Sequence, residues 1–296
     1  MEFKTKRKTA VAFVLSMLIL MLSVVYCMPK IADAADANGI DYLRHDYSGL
    51  TPDEVYNLKL DMNNNTSNAY STSNQSDYIL ESDTAVVRIV YIDNYGEEIP
   101  CSGFIIDDNT IATAAHCVYD FSKKKFWDFT IYITDSVGRI LQSMKPKYVH
   151  VPLKYAKIDY QNAPGYIYDY AMIVVDADLS GYEKFNLGIA TNNFASSDTT
   201  ISVSGYPNLD GQNEHCQKRY TATGKISDIT GLRIIYDNIT TWGGLSGGPV
   251  YVERELFGQK YKTAIGIHVR GGGYGTRITS DLLKFYYNNE EIVPRS

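Results

Sequence analysis

The chain has 296 residues, 45% hydrophobic and 21% charged, which is ordinary for a globular protein and excludes wholesale disorder. Lys and Arg number 28 against 34 Asp and Glu, so the net charge is −6 and the basic footprint of a general nucleic-acid binder is lacking. Four cysteines are too few for a disulfide-rich miniprotein, and 25 tyrosines suit half-buried sheet.

Lys4, Lys6, Arg7 and Lys8 form a basic head, and residues 9–27 are uncharged and almost wholly apolar. Ala32-Asp33-Ala34 then offers a small-residue cleavage site, as does Ala35-Asp36-Ala37. This layout predicts a secretory signal peptide over residues 1–34 and a secreted protein. The apolar run is also long enough to span a bilayer, so an uncleaved segment would give a membrane-anchored, extracellular protein instead. Cys27 follows the bulky Val24-Val25-Tyr26, which does not suit lipidation.

Residues 35–81 read as a propeptide or linker. The tracts 63–68 (NNNTSN) and 71–76 (STSNQS) carry too little apolar surface to order themselves.

From residue 82 to 296 the pattern is β. Short runs rich in β-branched and aromatic residues cover 84–93, 103–107, 110–113, 129–134, 148–152, 170–176, 200–206, 234–239, 250–253 and 263–269. Turn residues separate them. Closely spaced short strands predict an all-β barrel or sandwich architecture, and about 215 residues suffice for two small barrels. Only the tail differs: Thr279 or Ser280 can cap a C-terminal helix that holds Leu282, Leu283, Phe285 and Tyr286.

The chemistry begins at His116, in Thr113-Ala114-Ala115-His116-Cys117. A lone histidine is more often structural than catalytic, but two further features accompany this one. Ser246 lies 130 residues later in Gly243-Gly244-Leu245-Ser246-Gly247-Gly248-Pro249, where glycines permit a sharp turn and close approach of a substrate backbone. Asp169, in Tyr168-Asp169-Tyr170-Ala171, stands at the entrance of an apolar strand. Histidine, aspartate and serine in this order, each in suitable turn or strand context, make coincidence improbable.

These segments resemble the trypsin/chymotrypsin superfamily of serine proteases, and most of all the bacterial glutamyl endopeptidases. The resemblance runs from about Ala85 to the C-terminus. Residues 101–106 (CSGFII), 113–118 (TAAHCV) and 244–249 (GLSGGP) carry it, with support from 168–171 (YDYA) and 204–207 (SGYP). It implies two six-stranded antiparallel barrels, chymotrypsin-like, with the active site between them and a serine endopeptidase activity. His116, Asp169 and Ser246 would form the catalytic triad. A serine hydroxyl needs an adjacent base, which is His116, and Asp169 would hold the imidazole tautomer. The backbone N–H groups of Gly244 and Ser246 would form the oxyanion hole. Cys101 and Cys117 match the superfamily disulfide beside the histidine, worth about 3 kcal/mol in the chain-entropy model. That leaves Cys216 odd. A zinc reading of His116-Cys117 with His215-Cys216 lacks a metal-binding spacing, and an oxidising compartment favours the disulfide.

The resemblance also implies a preference for glutamate at the cleaved position. His268 matches the histidine that meets the acidic side chain in glutamyl endopeptidases, and Thr241 matches a pocket hydroxyl. Both can donate to a carboxylate, more strongly if the imidazole is charged. Three departures stand out. Leu245 precedes the serine, so activation through an aspartate at that place cannot operate. Gly248 replaces a common serine, and the hairpin over 253–262 is longer than expected. The expected molecule is thus a monomeric secreted endopeptidase acting on proteins or peptides, with no metal or organic cofactor and no nucleic-acid partner. It would touch a membrane only through an uncleaved N-terminal segment. The alternatives are a same-fold protease of other specificity, or an inactive protease-like cell-surface binding protein.

Overall fold

A computed structural model describes residues 42–46, 79–80, 84–157, 168–190, 199–208, 217–256 and 259–288. The expected signal peptide, most of the expected propeptide, Cys27, His215 and Cys216 lie outside the described residues.

Strands β1 (Tyr42–Asp46) and β2 (Ile79–Leu80) precede the domain proper. The N-terminal lobe follows with β3 (Val86–Ile92), β4 (Glu98–Asp107), β5 (Thr110–Thr113), β6 (Tyr119–Asp120), β7 (Lys125–Phe126), β8 (Phe129–Thr134), β9 (Ile140–Met144) and β10 (Tyr148–Pro152). Helix α1 (Leu153–Ala156) and β11 (Ala171–Val174) complete it. The C-terminal lobe holds β12 (Asn186–Leu187), β13 (Thr200–Gly205), β14 (Tyr220–Thr230), β15 (Arg233–Asp237), β16 (Pro249–Leu256), β17 (Gln259–Arg270) and β18 (Tyr274–Arg277), and ends in helix α2 (Ser280–Asn288). The fold is all-β with a C-terminal helix, as the sequence implies.

The second lobe closes. Its order β17-β16-β13-β14-β15-β18 returns to β17 through a further β17–β18 pairing, giving a six-stranded antiparallel barrel. The first lobe differs from the expected closed six. It is an eight-stranded sheet in the order β1-β10-β11-β5-β4-β3-β8-β9, and among the described residues no pairing joins its two ends. The reason lies at the edges: β1 occupies the outer edge of β10 over five residue pairs, and β9 occupies that of β8. Two pieces of the expected propeptide are therefore strands, β1 on β10 and β2 on β14. Neither could stand alone; an existing sheet edge supplies the hydrogen bonds that the polar segment cannot make for itself.

Strand patterning follows burial. In β8 the inward Phe129, Ile131 and Ile133 alternate with half-buried Thr130 and Tyr132. β11 is buried throughout, so it reads as a continuous apolar run. The core of the first lobe extends into Tyr206, Tyr251, Ile267 and the α2 residues Leu282, Phe285 and Tyr286. A smaller cluster around Ile201, Val203, Tyr236 and Val250 fills the closed barrel. Helix α2 begins as expected: the Thr279 hydroxyl accepts from the Leu282 N–H at 3.3 Å. The helix then seals the strand that follows Asp169. Phe285 packs edge-on to Tyr170 at 5.0 Å, and the Tyr286 hydroxyl donates to the Ala171 carbonyl at 3.0 Å.

Candidate active site

His116 sits in a short 3-10 turn, residues 115–117, directly after β5. Asp169 immediately precedes Tyr170 and β11, which pairs with β5. Adjacent strands therefore deliver the two side chains to one place. His116 Nδ1 lies 2.6 Å from Asp169 Oδ2, and the His116 backbone N–H donates to Asp169 Oδ1 at 2.9 Å. Asp169 is 4% exposed, and its own backbone carbonyl accepts from Thr276 Oγ1 at 3.2 Å. Both carboxylate oxygens are thus engaged, and the imidazole is held by one edge. Burial alone would lower the pKa of His116. The Asp169 carboxylate and a smaller share from Cys117 together outweigh it and raise the value well above the ordinary 6.5. The Cys117 thiol is itself pushed up by burial, so near neutral pH it contributes a hydrogen-bond contact and no charge.

Ser246 comes from the other lobe, at the tip of a turn before β16. This turn exists only with glycine. Gly244 and Gly247 have φ of +93° and +85°. A Cβ on Gly244 would stand 2.1 Å from the Tyr206 carbonyl oxygen, and one on Gly248 would stand 2.1 Å from that of Ser204. The second clash explains why no serine can occupy position 248 in this backbone. The N–H groups of Gly244 and Ser246 donate to no described residue, whereas those of Leu245, Gly247 and Gly248 are all used within the fold.

Ser102, to which the sequence alone assigns no role, ties this turn to the first lobe. Its N–H donates to the Ser246 carbonyl and its hydroxyl to the Gly244 carbonyl, both at 2.7 Å. The same hydroxyl accepts from the Tyr206 N–H at 2.9 Å, and the Ser102 carbonyl accepts from Thr113 Oγ1 at 2.7 Å. The only hint in the sequence is its place beside Cys101 in the family-like segment.

Among the described residues the Ser246 hydroxyl makes no hydrogen bond with His116. The imidazole Nε2 lies 3.7 Å from Cys117 Sγ, and that sulfur also approaches the Ser246 carbonyl at 3.4 Å. Cys101 and Cys117 are both buried free thiols. Their sulfurs lie within 4.8 Å of each other, and Cys117 Sγ also meets the Ser246 carbonyl and the His116 ring. Ligand atoms of Cys101, His116 and Cys117 lie within 4.8 Å of one another, a set whose softness would suit Zn²⁺. It does not fit a catalytic metal. Both cysteines are buried, and Asp169 already holds one nitrogen of the His116 imidazole.

His268 lies on β17, whose backbone is joined to the serine turn. Gly247 N–H donates to the His268 carbonyl at 2.8 Å, and His268 N–H donates to the Gly248 carbonyl at 2.9 Å. Its imidazole is 1% exposed, and Nδ1 contacts the Tyr236 hydroxyl. Burial, and then the charge of His116, lower its pKa to about 3. The imidazole is therefore neutral at working pH, which corrects the expectation that charge could strengthen its hold on an anion. Thr241 Oγ1 accepts from the Gly272 N–H at 3.0 Å, so its own proton remains for another acceptor.

A two-lobed β fold with a His–Asp pair on one lobe and a glycine-flanked serine on the other defines a class, that of the chymotrypsin-like proteins. A sequence profile of the trypsin family matches residues 81–287, and the chain belongs to that family. It is 30% identical over 189 residues to the extracellular metalloprotease of Bacillus subtilis, covering 62% of this chain and 55% of that protein. It is 28% identical over 197 residues to the glutamyl endopeptidase of Bacillus licheniformis, covering 62% of this chain and 57% of that protein. The chain thus spans little more than half the length of the curated relatives it matches. A solved Glu endopeptidase in complex with MPD is similar with a TM-score of 0.56 at 21% identity, over 72% of this chain and 95% of that one.

Proposed function

We propose that the protein is a secreted serine endopeptidase that cleaves proteins or peptides through His116, Asp169 and Ser246, with a preference for glutamate at the cleaved position. The observation that carries the reading is the His116–Asp169 pair at 2.6 Å, together with a serine turn pinned to the same lobe through Ser102. His116 takes the proton of Ser246 as the hydroxyl attacks the scissile carbonyl, and then returns it to the leaving amine. Asp169 steadies the imidazolium. The unused N–H groups of Gly244 and Ser246 donate to the developing oxyanion; removal of one such donor typically costs about 10²–10³ in rate. His268 and Thr241 supply donors for an acidic side chain, a role supported by the likeness to the Bacillus licheniformis glutamyl endopeptidase.

One observation favours the inactive-scaffold alternative: His116 Nε2 faces a sulfur, not the serine hydroxyl. Hydroxyl–base contacts are often long without substrate and tighten when it binds. A peptide-library profile of the purified protein, with Ser246→Ala as control, separates the readings. We expect cleavage after Glu in the wild type and loss of nearly all turnover in Ser246→Ala. A serine-directed phosphonylating reagent should abolish activity, and a chelator should not. Equal cleavage by the alanine variant would end the serine-protease reading. Cleavage without preference for Glu would leave a same-fold protease of other specificity.

A further inference from the structure

Tyr236 stands on β15, in the closed barrel, and belongs to none of the family-like segments. Its ring and that of His268 lie 6.0 Å apart at 48°, and both residues are 1% exposed. Its backbone is locked. Tyr236 N–H donates to the Gly273 carbonyl at 2.9 Å. Gly273 has φ of +80°, and a Cβ there would stand 1.9 Å from the Tyr236 carbonyl oxygen. Across β18, His268 is paired with Gly275, which presents no side chain of its own to the imidazole. The tyrosine hydroxyl is thus held against one particular atom, His268 Nδ1.

A phenol has one proton to give. The Nδ1 atom is in direct contact with it, whereas the carbonyl of Tyr274 is 3.4 Å away, beyond the ordinary range of an O–H···O bond. Of these two acceptors Nδ1 is the nearer, and donation to it would set the imidazole tautomer. A neutral imidazole carries one N–H, so an accepting Nδ1 leaves the proton on Nε2, which has no partner among the described residues.

We infer that Tyr236 is a specificity-positioning residue, one that fixes His268 as the Nε2–H tautomer and so makes it a neutral hydrogen-bond donor toward carboxylate side chains. This rests on the reading of His268 as a substrate-binding residue. Together with the Thr241 hydroxyl it provides two donors, and the imidazole offers no acceptor. A glutamate carboxylate accepts from both. A glutamine amide has one accepting oxygen, and its NH₂ group finds no acceptor on the imidazole. Were Nδ1 protonated, Nε2 would accept, and the amide would be the better guest. The direction of one phenolic proton thus selects acid over amide without any charge on the imidazole. The depressed pKa of His268 agrees with this arrangement.

The test has two arms. The first is ¹⁵N NMR of the imidazole ring in Ser246→Ala protein, which does not digest itself. We expect His268 with a protonated Nε2 and a bare Nδ1. A protonated Nδ1 would overturn the proposal, and this arm holds even if no Tyr236 variant folds. The second arm is the Glu/Gln ratio of kcat/KM at fixed pH in wild type and Tyr236→Phe, which keeps the ring and loses the donor. Loss of one hydrogen-bond donor should lower the ratio about three- to tenfold. A purely structural role would lower both rates alike, and an unchanged ratio sinks the positioning role. Should the wild type show no preference for Glu, the pocket reading of His268 fails, while the NMR spectrum still judges the tautomer.

Discussion

At the scale of single residues, the site depends on how two histidines are paired. His116 gains a carboxylate partner and its pKa rises; His268 gains a neutral phenol and stays uncharged. The proposed mechanism needs His116 neutral as base, so activity would be lost as pH falls through its raised value. The acid limb of the kcat/KM profile should therefore lie above the ordinary imidazole value of 6.5. A limb at or below 6.5 would contradict the pairing. The stability effect has the opposite sense. A raised folded-state pKa stabilises the fold fully below the unfolded value, and this contribution disappears as pH rises through the folded one. Ser102 supports a second expectation at this scale. Ser102→Ala leaves the Gly244 carbonyl and the Tyr206 N–H without their buried partner, at a cost of about 1–3 kcal/mol. Because those bonds fix the oxyanion turn, kcat should fall with the melting temperature. Full kcat in a well-folded variant would show that the turn does not need Ser102.

Among the elements, the serine turn and helix α2 do most to place the site. The turn leaves no space for side chains: Cβ atoms at positions 244, 247 and 248 would each meet an oxygen at 2.1 Å. Helix α2 acts from behind, clamping the start of β11 just after Asp169. Phe285 is fully buried against Tyr170. Phe285→Ala should cost about 3–5 kcal/mol. Denaturant unfolding measures the cost. The same variant, still folded at low temperature, should lose activity as Asp169 loosens; retention of full activity would uncouple the helix from the site. Elements with broken patterns were the hardest to read from sequence. β14 carries Gly224 at its centre, where a Cβ would stand 2.3 Å from the Asp237 carbonyl oxygen, and its register shifts between Ile226 and Asp228. β9 is an edge strand with Ile140 and Leu141 exposed, so it lacks the alternation of a half-buried strand.

For the whole molecule, the open question of maturation meets the observed strand pairing. Composition suggests that residues 35–81 are removed, yet β1 and β2 extend a sheet edge in each lobe. Such pairing gives backbone hydrogen bonds but little of a core, so removal of both strands would leave the domain folded. We expect the active form to begin close to residue 82. N-terminal sequencing of the active form decides this; a start at Ala35 or Asn38 with full activity would remove the propeptide claim.

What the sequence determined by itself was local. Alternating apolar residues mark β8, a continuous apolar run marks β11, and Thr279 marks the start of α2, since each depends on neighbours a few positions away. The His116, Asp169 and Ser246 segments were legible for the same reason, because each carries its own turn or strand chemistry. The tertiary structure alone decided which groups those residues meet. Ser102 reaches Gly244 across 142 positions, and Tyr236 reaches His268 across 32. Cys117 meets the Ser246 carbonyl across 129 positions. No local pattern specifies these contacts. They arise when two separately patterned sheets dock, and docking sets the hydrogen-bond partners, the burial and thus the protonation of each group.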